Sequence, residues 1–400
     1  MKGTWIKKDL ALAIILLFVI PSVVSTFNIE NKSYPFNNGN WLYVGGSGGG
    51  NYSKIQDAIN DSVDGDFIYV YQGTYYENIV IDKSISLIGE NKNTTTIDAN
   101  FKGNGITIFA NQVNINEFTI KNGYTNITIS KGISISSHNN NITNNIISNN
   151  FYGIEISNSI NNTFYDNIIS NNSVNGIYIK DESKFNNIIN NKISFNKFPG
   201  IAIYNSTNNM IIDNNFSSNT LHGIFLSGSH NNIIKGNNIS YDGIALYSCI
   251  NNTIIYNKII SSNKPGLYIK GGSDNIICNN VISKNYDGIN IQESDNNIFT
   301  SNSISNNEHA FVLSDCHGNI IQKNNLLDNK KDVEDLEYYH IFNKSEKKNI
   351  WKENYWNKPR FLPKPVFGIG VIIIPDITTI PFILIAFDWH PAKEPYDITI

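Results

Sequence analysis

Aromatic side chains that recur in a repeated phrase are the residues of this sequence best suited to bind a ligand. In the phrase Gly-Ile-x-Ile-x, the second and fourth residues after the glycine share one face of an extended strand. Over five successive copies that face carries a ring: Tyr178, Tyr204, Phe225, Tyr247 and Tyr268. Ring faces pack against sugar C–H groups, and polar neighbours bond to hydroxyls. The pattern predicts a carbohydrate-binding strip roughly 20 Å long, with Lys180 and Asp181 beside it.

The same residues have structural explanations that stay open at this point. The rings could pack against one another across neighbouring strands, or the C-terminal segment could cover them. Lys180 and Asp181 could equally be a charged pair at a solvated corner.

The repeat that carries the strip predicts a solenoid. Its copies are 20 to 24 residues apart, with glycines at these positions: Gly153, Gly176, Gly200, Gly223, Gly243, Gly266 and Gly288. Self-similarity at this period is typical of a solenoid. A leucine-rich repeat would need a leucine core and helical or turn-rich return segments. Here the core positions are mostly Ile, and the return segments are rich in Asn and β-branched residues, which favour strand and turn. We therefore expect an all-β parallel β-helix over residues 41–330.

Asparagine at the corners of each coil has a structural role in this interpretation. Asn tolerates the left-handed conformation that a sharp corner needs. Its side-chain amide can also bond to the equivalent Asn one coil away, which would form a ladder along the solenoid.

Both ends of the solenoid need a cover over their apolar openings. Ser53 to Val63 is predicted to form an amphipathic helix over the first coil, with Ser53 and Gln56 as a capping box. Residues 331–400 are charged, aromatic and interrupted by proline, which predicts an irregular C-terminal cap. Val366 to Phe387 is apolar, but Pro375, Asp376 and Pro381 leave no run near the ~20 residues of a membrane span.

The first residues have the pattern of a secretory signal. Lysines precede an apolar run over residues 10–20, and small residues near Ser25 offer a cleavage site. We expect residues 1–25 to be a signal peptide, with a retained membrane anchor as the alternative, and residues 26–40 to be a polar spacer. Many Asn-x-Ser/Thr sequons, such as those at Asn126 and Asn171, support export. A net charge of −4 argues against a nucleic-acid partner.

Several segments together resemble a known family. They are Tyr52-Ser-Lys-Ile-Gln-Asp-Ala-Ile-Asn, Asp64-Gly-Asp-Phe-Ile-Tyr-Val, Gly73-Thr-Tyr-Tyr-Glu-Asn-Ile-Val-Ile and Ser86-Leu-Ile-Gly-Glu. They are similar to the opening of right-handed β-helix proteins, including pectin methylesterases. The Asn-rich repeats, Asn354-Tyr-Trp and Phe387-Asp-Trp-His-Pro look most like NosD-like carbohydrate-binding or surface proteins. The resemblance implies a right-handed parallel β-helix with PbH1-like repeats.

The catalytic motifs of related β-helix enzymes are absent from the sequence. Pectin methylesterase, polygalacturonase and mannuronan epimerase motifs are missing, and we assign no catalytic residue. The resemblance also raises copper, for which Cys, Met and His are the preferred ligands. His309 and His317 flank one repeat phrase beside Cys316, but their spacing is not that of a recognised metal site. We expect no metal site and no cofactor.

Three cysteines do not indicate a disulfide framework. Cys249 and Cys316 occupy equivalent places three coils apart, and that separation of roughly 14 Å is too long for a bridge.

These observations favour an exported, non-catalytic β-helix that binds polysaccharide or glycoprotein at the cell surface. We expect membrane contact only through an uncleaved N-terminal segment, if at all. One alternative is an extracellular polysaccharide lyase or hydrolase with a diverged active site. Another is a NosD-like accessory protein for maturation of a copper enzyme.

Overall fold

A computed structural model of the protein describes residues 39–123, 129–340, 347–374 and 378–398. The predicted signal peptide, and the spacer up to residue 38, lie outside the described residues. Within the described part of the chain, no helix is long and apolar enough to cross a membrane.

The chain winds into a right-handed parallel β-solenoid of about 13 turns. Each turn contributes one strand to each of three sheets. The first sheet consists of Trp41–Val44, Phe67–Val70, Ser86–Gly89, Asn114–Asn116, Asn141–Thr143, Thr163–Tyr165, Asn187–Ile189, Met210–Ile212, Ile233–Lys235, Thr253–Ile255, Ile276–Cys278, Ile298–Thr300, Ile320–Gln322 and Ile350–Lys352. The second consists of Gly73–Tyr75, Thr95–Asp98, Thr119–Lys121, Ile146–Ser148, Ile168–Ser170, Lys192–Ser194, Asn215–Ser217, Asn238–Ser240, Lys258–Ile260, Val281–Ser283, Ser303–Ser305, Asn325–Leu327 and Tyr355–Trp356.

The third sheet holds the repeated Gly-Ile-x-Ile phrases. Its strands are Ile79–Ile81, Ile106–Ile108, Lys131–Ile135, Tyr152–Ser157, Ile177–Lys180, Ile201–Tyr204, Ile224–Ser227, Ile244–Tyr247, Leu267–Lys270, Asp287–Gln292, His309–Ser314, Lys331–His340, Lys364–Ile374 and Thr378–Asp388. Every strand in the three sheets pairs in parallel with its neighbours except the last, which pairs antiparallel with Lys364–Ile374.

Columns of isoleucine form the core. In the third sheet, Ile154, Ile177, Ile201 and Ile224 lie in register in successive coils, and all four are fully buried. The sequence prediction of the fold is therefore confirmed. Each coil exposes its apolar edges to the next, so the coils stabilise one another in a linear series.

Asparagines form three internal ladders, one at each corner. At the second corner, Asn191 shows the typical geometry. Its backbone N–H and its side-chain Nδ2 both donate to Oδ1 of Asn214 in the next coil, at 2.8 and 2.9 Å. Nδ2 also donates to the carbonyl oxygen of Phe164 in the preceding coil, at 2.9 Å. The buried amides are thus satisfied, which is required of polar groups in an apolar core.

The amphipathic helix is present but shorter than predicted. It spans Ile55–Asp61 and buries Ile55, Ala58 and Ile59 against the first coil. The predicted capping box of Ser53 and Gln56 is wrong, because the N-cap residue is Lys54 and no side chain of the predicted pair caps the helix. The carboxylate of Glu77 instead accepts the first two helical N–H groups, at 2.9 Å each.

Gln56 has a different role. Its side-chain amide bonds to both the N–H and the carbonyl oxygen of Val80, at 2.8 and 3.2 Å. Val80 lies on the first strand of the third sheet, so the helix supplies hydrogen bonds to an otherwise open sheet edge.

The C-terminal segment is more regular than the irregular cap we predicted. Lys331–His340, Ile350–Lys352 and Tyr355–Trp356 complete a further coil. Lys364–Ile374 and Thr378–Asp388 then form a hairpin that extends the third sheet. Buried Asp388 closes the second ladder, since its carboxylate accepts bonds from Asn354 Nδ2, Trp356 Nε1 and two backbone N–H groups, at 2.9 to 3.2 Å.

All three cysteines are buried and free, so the expectation of no disulfide framework agrees with the structure. Burial raises the pKa of Cys249 to about 11 and those of Cys278 and Cys316 to about 12.

Candidate functional site

The five aromatic side chains of the predicted strip come from five successive strands of the third sheet. The strands are Ile177–Lys180, Ile201–Tyr204, Ile224–Ser227, Ile244–Tyr247 and Leu267–Lys270. The isoleucine or leucine neighbours of the rings are buried in the core. The rings themselves are partly exposed, and Tyr204 is the most accessible of the five.

The rings alternate between two adjacent columns of the sheet. Tyr178, Phe225 and Tyr268 share one column, in which the intervening coils carry Ala202 and Ala245. Tyr204 and Tyr247 lie in the next column. The two alanines leave room beside each ring, so that rings from the two columns come together in a zigzag.

Ring contacts join the five side chains into one surface. Neighbouring ring centroids are 5.6 Å apart for Tyr178–Tyr204, 5.5 Å for Tyr204–Phe225, 5.3 Å for Phe225–Tyr247 and 5.4 Å for Tyr247–Tyr268. These distances fall within the range of favourable aromatic pairs. The explanation by cross-strand packing therefore holds, and it coexists with a partly exposed outer surface.

The structure adds two members that the repeat pattern did not show. Tyr152 stacks on Tyr178 at 4.9 Å and 30°, and His222 stacks beside Phe225 at 6.1 Å. Both precede the glycine of their phrase, a position that the alternation rule does not cover. The only sign of these two members in the sequence is a ring directly before the glycine. We call the seven side chains Tyr152, Tyr178, Tyr204, His222, Phe225, Tyr247 and Tyr268 the aromatic strip.

Lys180 and Asp181 lie at one edge of the strip. Lys180 Nζ is 5.8 Å from the Tyr178 ring centroid and 3.4 Å from the Asp181 carboxylate. A 2.6 Å bond from the Ser157 hydroxyl, together with Lys180, lowers the pKa of Asp181. Burial acts to lower the pKa of Lys180, but Glu155 and Asp181 outweigh it and raise the pKa. Both groups are therefore charged at neutral pH.

The far end of the strip is also polar. The Tyr268 hydroxyl donates to Oε1 of Gln292 at 2.9 Å. Burial, with Tyr247 and Glu293 nearby, raises the pKa of Tyr268 to about 12, so this phenol stays protonated. The strip thus combines apolar ring faces with fixed polar groups at both ends.

A second aromatic cluster, which we did not predict, lies on the outer face of the first sheet. Trp41 stacks on Phe67 at 4.8 Å and 16°, and Tyr43 and Tyr69 lie beside them. Trp41 and Tyr43 are 50% and 41% exposed. These rings come from non-repeating coils, so the 20-to-24-residue period gave no signal for them.

The comparison with protein families concerns most of the chain. The family model described as "Periplasmic copper-binding protein (NosD)" matches residues 59–240 and 220–360. The chain belongs to the NosD family. No curated protein matches the sequence.

Solved structures with a similar fold have very different sequences. The A-module of mannuronan C-5 epimerase AlgE4 from Azotobacter vinelandii has a TM-score of 0.53 at 12% identity, covering 73% of this NosD-family chain and 97% of that chain. PfbA, a surface adhesin of Streptococcus pneumoniae, has a TM-score of 0.56 at 18% identity, with 70% and 87% covered. The pre-mature gene product 12 of bacteriophage phi29 has a TM-score of 0.56 at 12% identity, with 80% and 53% covered. At these identities the similarity shows the fold alone.

The side chains of this NosD-family protein do not fit the copper site that the family description implies. Across the described ranges, no three His, Cys, Asp or Glu side chains come close enough together to hold a metal ion. The raised thiol pKa values keep the cysteines protonated, and a thiol must lose its proton to bind a metal. His309 Nδ1 and Nε2 lie 2.8 Å from Asp287 and 3.4 Å from Glu334, so both nitrogens already face carboxylates.

Proposed function

We propose that this NosD-family protein is an exported cell-surface protein that binds a polysaccharide or surface glycan without catalysis. The observation that carries the proposal is the aromatic strip, which crosses six successive coils as one partly exposed surface with charged or polar groups at its ends. A sugar chain offers alternating C–H faces and hydroxyls, and the strip offers the complementary ring faces and polar groups. The family description as periplasmic is consistent with a place outside the cytoplasm.

A variant that removes the flat ring faces but keeps the apolar packing tests the proposal. We expect Tyr204→Leu/Tyr247→Leu to lose most retention on the polysaccharide that wild type binds, about tenfold, because stacking on a flat ring is worth ~0.5–1.5 kcal/mol per ring. The melting temperature should fall only slightly, since leucine still covers the core. Retention of the purified protein on a panel of immobilised polysaccharides measures binding.

The control pair is Tyr76→Leu/Phe109→Leu, which removes two exposed rings from the first coils. This pair should bind as wild type does. Equal loss in both pairs, or no retention of wild type by any polysaccharide, would overturn the proposal. New unsaturated or reducing ends during incubation would instead support the alternative of a polysaccharide lyase or hydrolase.

A further inference from the structure

The outward face of the C-terminal hairpin is apolar and exposed. Phe367 pairs with Ile385 and Ile369 with Ile383 across the two strands, and Phe387 and Trp389 continue the row. We call these six side chains the hairpin face. Their exposed fractions include 58% for Phe367, 73% for Ile383 and 62% for Trp389. Exposed Phe361 and Leu362 flank the base of the hairpin.

This surface is larger than solubility alone explains. An aromatic side chain offers roughly 150–250 Å², and soluble monomers rarely expose a continuous apolar patch beyond a few hundred Å². Such patches mark sites that contact a protein or a membrane. Branched aliphatic residues without polar groups among them do not suit a sugar chain, so the hairpin face differs in chemistry from the aromatic strip.

Basic side chains gather at the base of the hairpin. Lys358 and Lys393 are exposed, Arg360 follows Lys358 by two residues and is half-buried, and Lys393 Nζ is 5.2 Å from the Phe361 ring centroid. Glu394 follows Lys393, and the chain then turns toward the second sheet. There the side-chain Nδ2 of Asn325 donates to the Tyr396 carbonyl oxygen at 2.8 Å, and its Oδ1 accepts from the Tyr396 N–H at 2.9 Å. Lys358, Arg360 and Lys393 outnumber the acidic Glu394 and Asp397 here, and this local excess of positive charge in a chain of net charge −4 suits a negatively charged partner.

We infer that the hairpin face docks on the surface of an anionic lipid bilayer. Aromatic rings beside lysine and arginine suit the headgroup level, and an adjacent aliphatic surface suits the acyl boundary. The basic side chains at the base of the hairpin attract anionic lipids. This inference goes beyond the proposed glycan binding and does not depend on it.

The hairpin face and the aromatic strip lie on the same face of the third sheet. One column of paired residues connects them through successive strands: Tyr247, Lys270, Gln292, Ser314, Leu336 and Ile369. Five strand spacings separate Tyr247 from Ile369, roughly 24 Å. Docking through the hairpin therefore holds the strip close to the bilayer surface.

Co-sedimentation of the full chain with vesicles tests the inference. The vesicles are phosphatidylcholine alone and phosphatidylcholine mixed with phosphatidylglycerol. We expect wild type to bind the anionic vesicles and Phe367→Ser/Ile385→Ser to bind at least about tenfold more weakly, because apolar area leaves the contact. The matched control is Val63→Ser/Phe109→Ser, whose side chains are also 58% exposed but lie at the N-terminal end. Arg360→Gln/Lys393→Gln should lose the preference for phosphatidylglycerol.

Quenching by brominated lipid locates the contact. Wild-type tryptophan fluorescence should be quenched, and Trp389→Phe should lose most of that quenching. This readout remains informative if the serine pair fails to fold. Quenching retained in Trp389→Phe would place the contact elsewhere, such as in residues 10–20, and overturn the inference. Equal binding by the hairpin and control pairs would also overturn it. So would a wild-type dimer, by light scattering without vesicles, that the hairpin pair abolishes, since the face would then join two copies.

Discussion

A carboxylate interrupts the third Asn ladder at Asp242. The ladder runs through Asn150, Asn172, Asn196 and Asn219, and the backbone N–H and Nδ2 of Asn219 donate to Asp242 at 2.9 and 2.8 Å. Asp242 is buried, and burial raises its pKa to about 6 despite these bonds and Lys264. The following glycine comes directly after Asp242, so the short loop that other coils have at this corner is missing.

Asp242→Asn should stabilise the protein at neutral pH. The folded state holds the Asp242 proton more tightly than the unfolded state does, so the carboxylate costs stability once the pH rises through about 6. An amide is uncharged and continues the ladder. We expect a gain on the order of 1–3 kcal/mol in the free energy of unfolding at pH 7, shrinking toward zero near pH 4. Denaturant unfolding of both proteins between pH 4 and pH 8 measures it.

Because His222 also changes stability with pH, wild type and Asp242→Asn must both be unfolded at each pH. Burial, helped by Lys264, lowers the pKa of His222 to about 4, so the stability that it contributes is lost as the pH falls from 6.5 toward 4. That trend opposes the trend of Asp242 but is present in both proteins, so the difference between them isolates Asp242. Asn257→Asp, which places a carboxylate in the second ladder, should have the opposite effect. If Asp242→Asn were no more stable than wild type at pH 7, the buried Asp242 carboxylate would not be destabilising, and the prediction would be wrong.

For the strands and corners, the sequence predicts the strands and the presence of Asn at the corners. It does not predict that the left-handed conformation and the ladder amide belong to two different residues. Our prediction gave one Asn both the left-handed corner and the ladder. In the structure, consecutive residues share the work: Asn144 is left-handed, with φ of 53°, and Asn145 is the buried ladder member. The pattern repeats as Asp166–Asn167 and Asp213–Asn214. The first residue needs only to tolerate positive φ, whereas the second must present an amide to the core.

Features formed by residues distant in sequence could not be predicted. The capping box was the local solution for the N-terminal helix, but Glu77 reaches its N–H groups from 22 positions away. The strip was predictable because it follows the repeat. Tyr152, His222 and the cluster around Trp41 were not, because they stand outside the alternation on which the prediction depended. That the strip binds a sugar stays a prediction.

Asp388 should be essential to the C-terminal end of the solenoid. Asp388→Ala leaves the buried donors of Asn354 and Trp356 without their acceptor, and an unsatisfied buried polar group costs about 1–3 kcal/mol. We expect a loss of roughly 3 kcal/mol in the free energy of unfolding. Asp397→Ala, at an exposed position, should have little effect. Equal thermal stability of the two variants would show that the hairpin does not close the ladder.

At the scale of the whole molecule, contacts are almost entirely between successive coils. Each of the 13 parallel pairs in the first sheet joins a strand to the strand one turn away, and the Asn ladders follow the same rule. Stability in such an array is a sum of coil terms and nearest-neighbour terms. The two ends of the solenoid are closed independently of each other. The helix capped by Glu77 covers one end, and the hairpin that carries Asp388 covers the other.

This linear arrangement predicts how damage spreads. Ile211→Ala removes buried core volume in a central coil and should cost about 2–5 kcal/mol. Amide hydrogen exchange should then rise in the coils on both sides of Ile211 and fade toward both ends. Asp388→Ala should raise exchange only in the last coils and leave the helix-capped coils as protected as in wild type. Hydrogen exchange followed by mass spectrometry of peptides measures both profiles. A uniform rise along the chain in either variant would show that the coils unfold as one block, and the nearest-neighbour account would then be wrong.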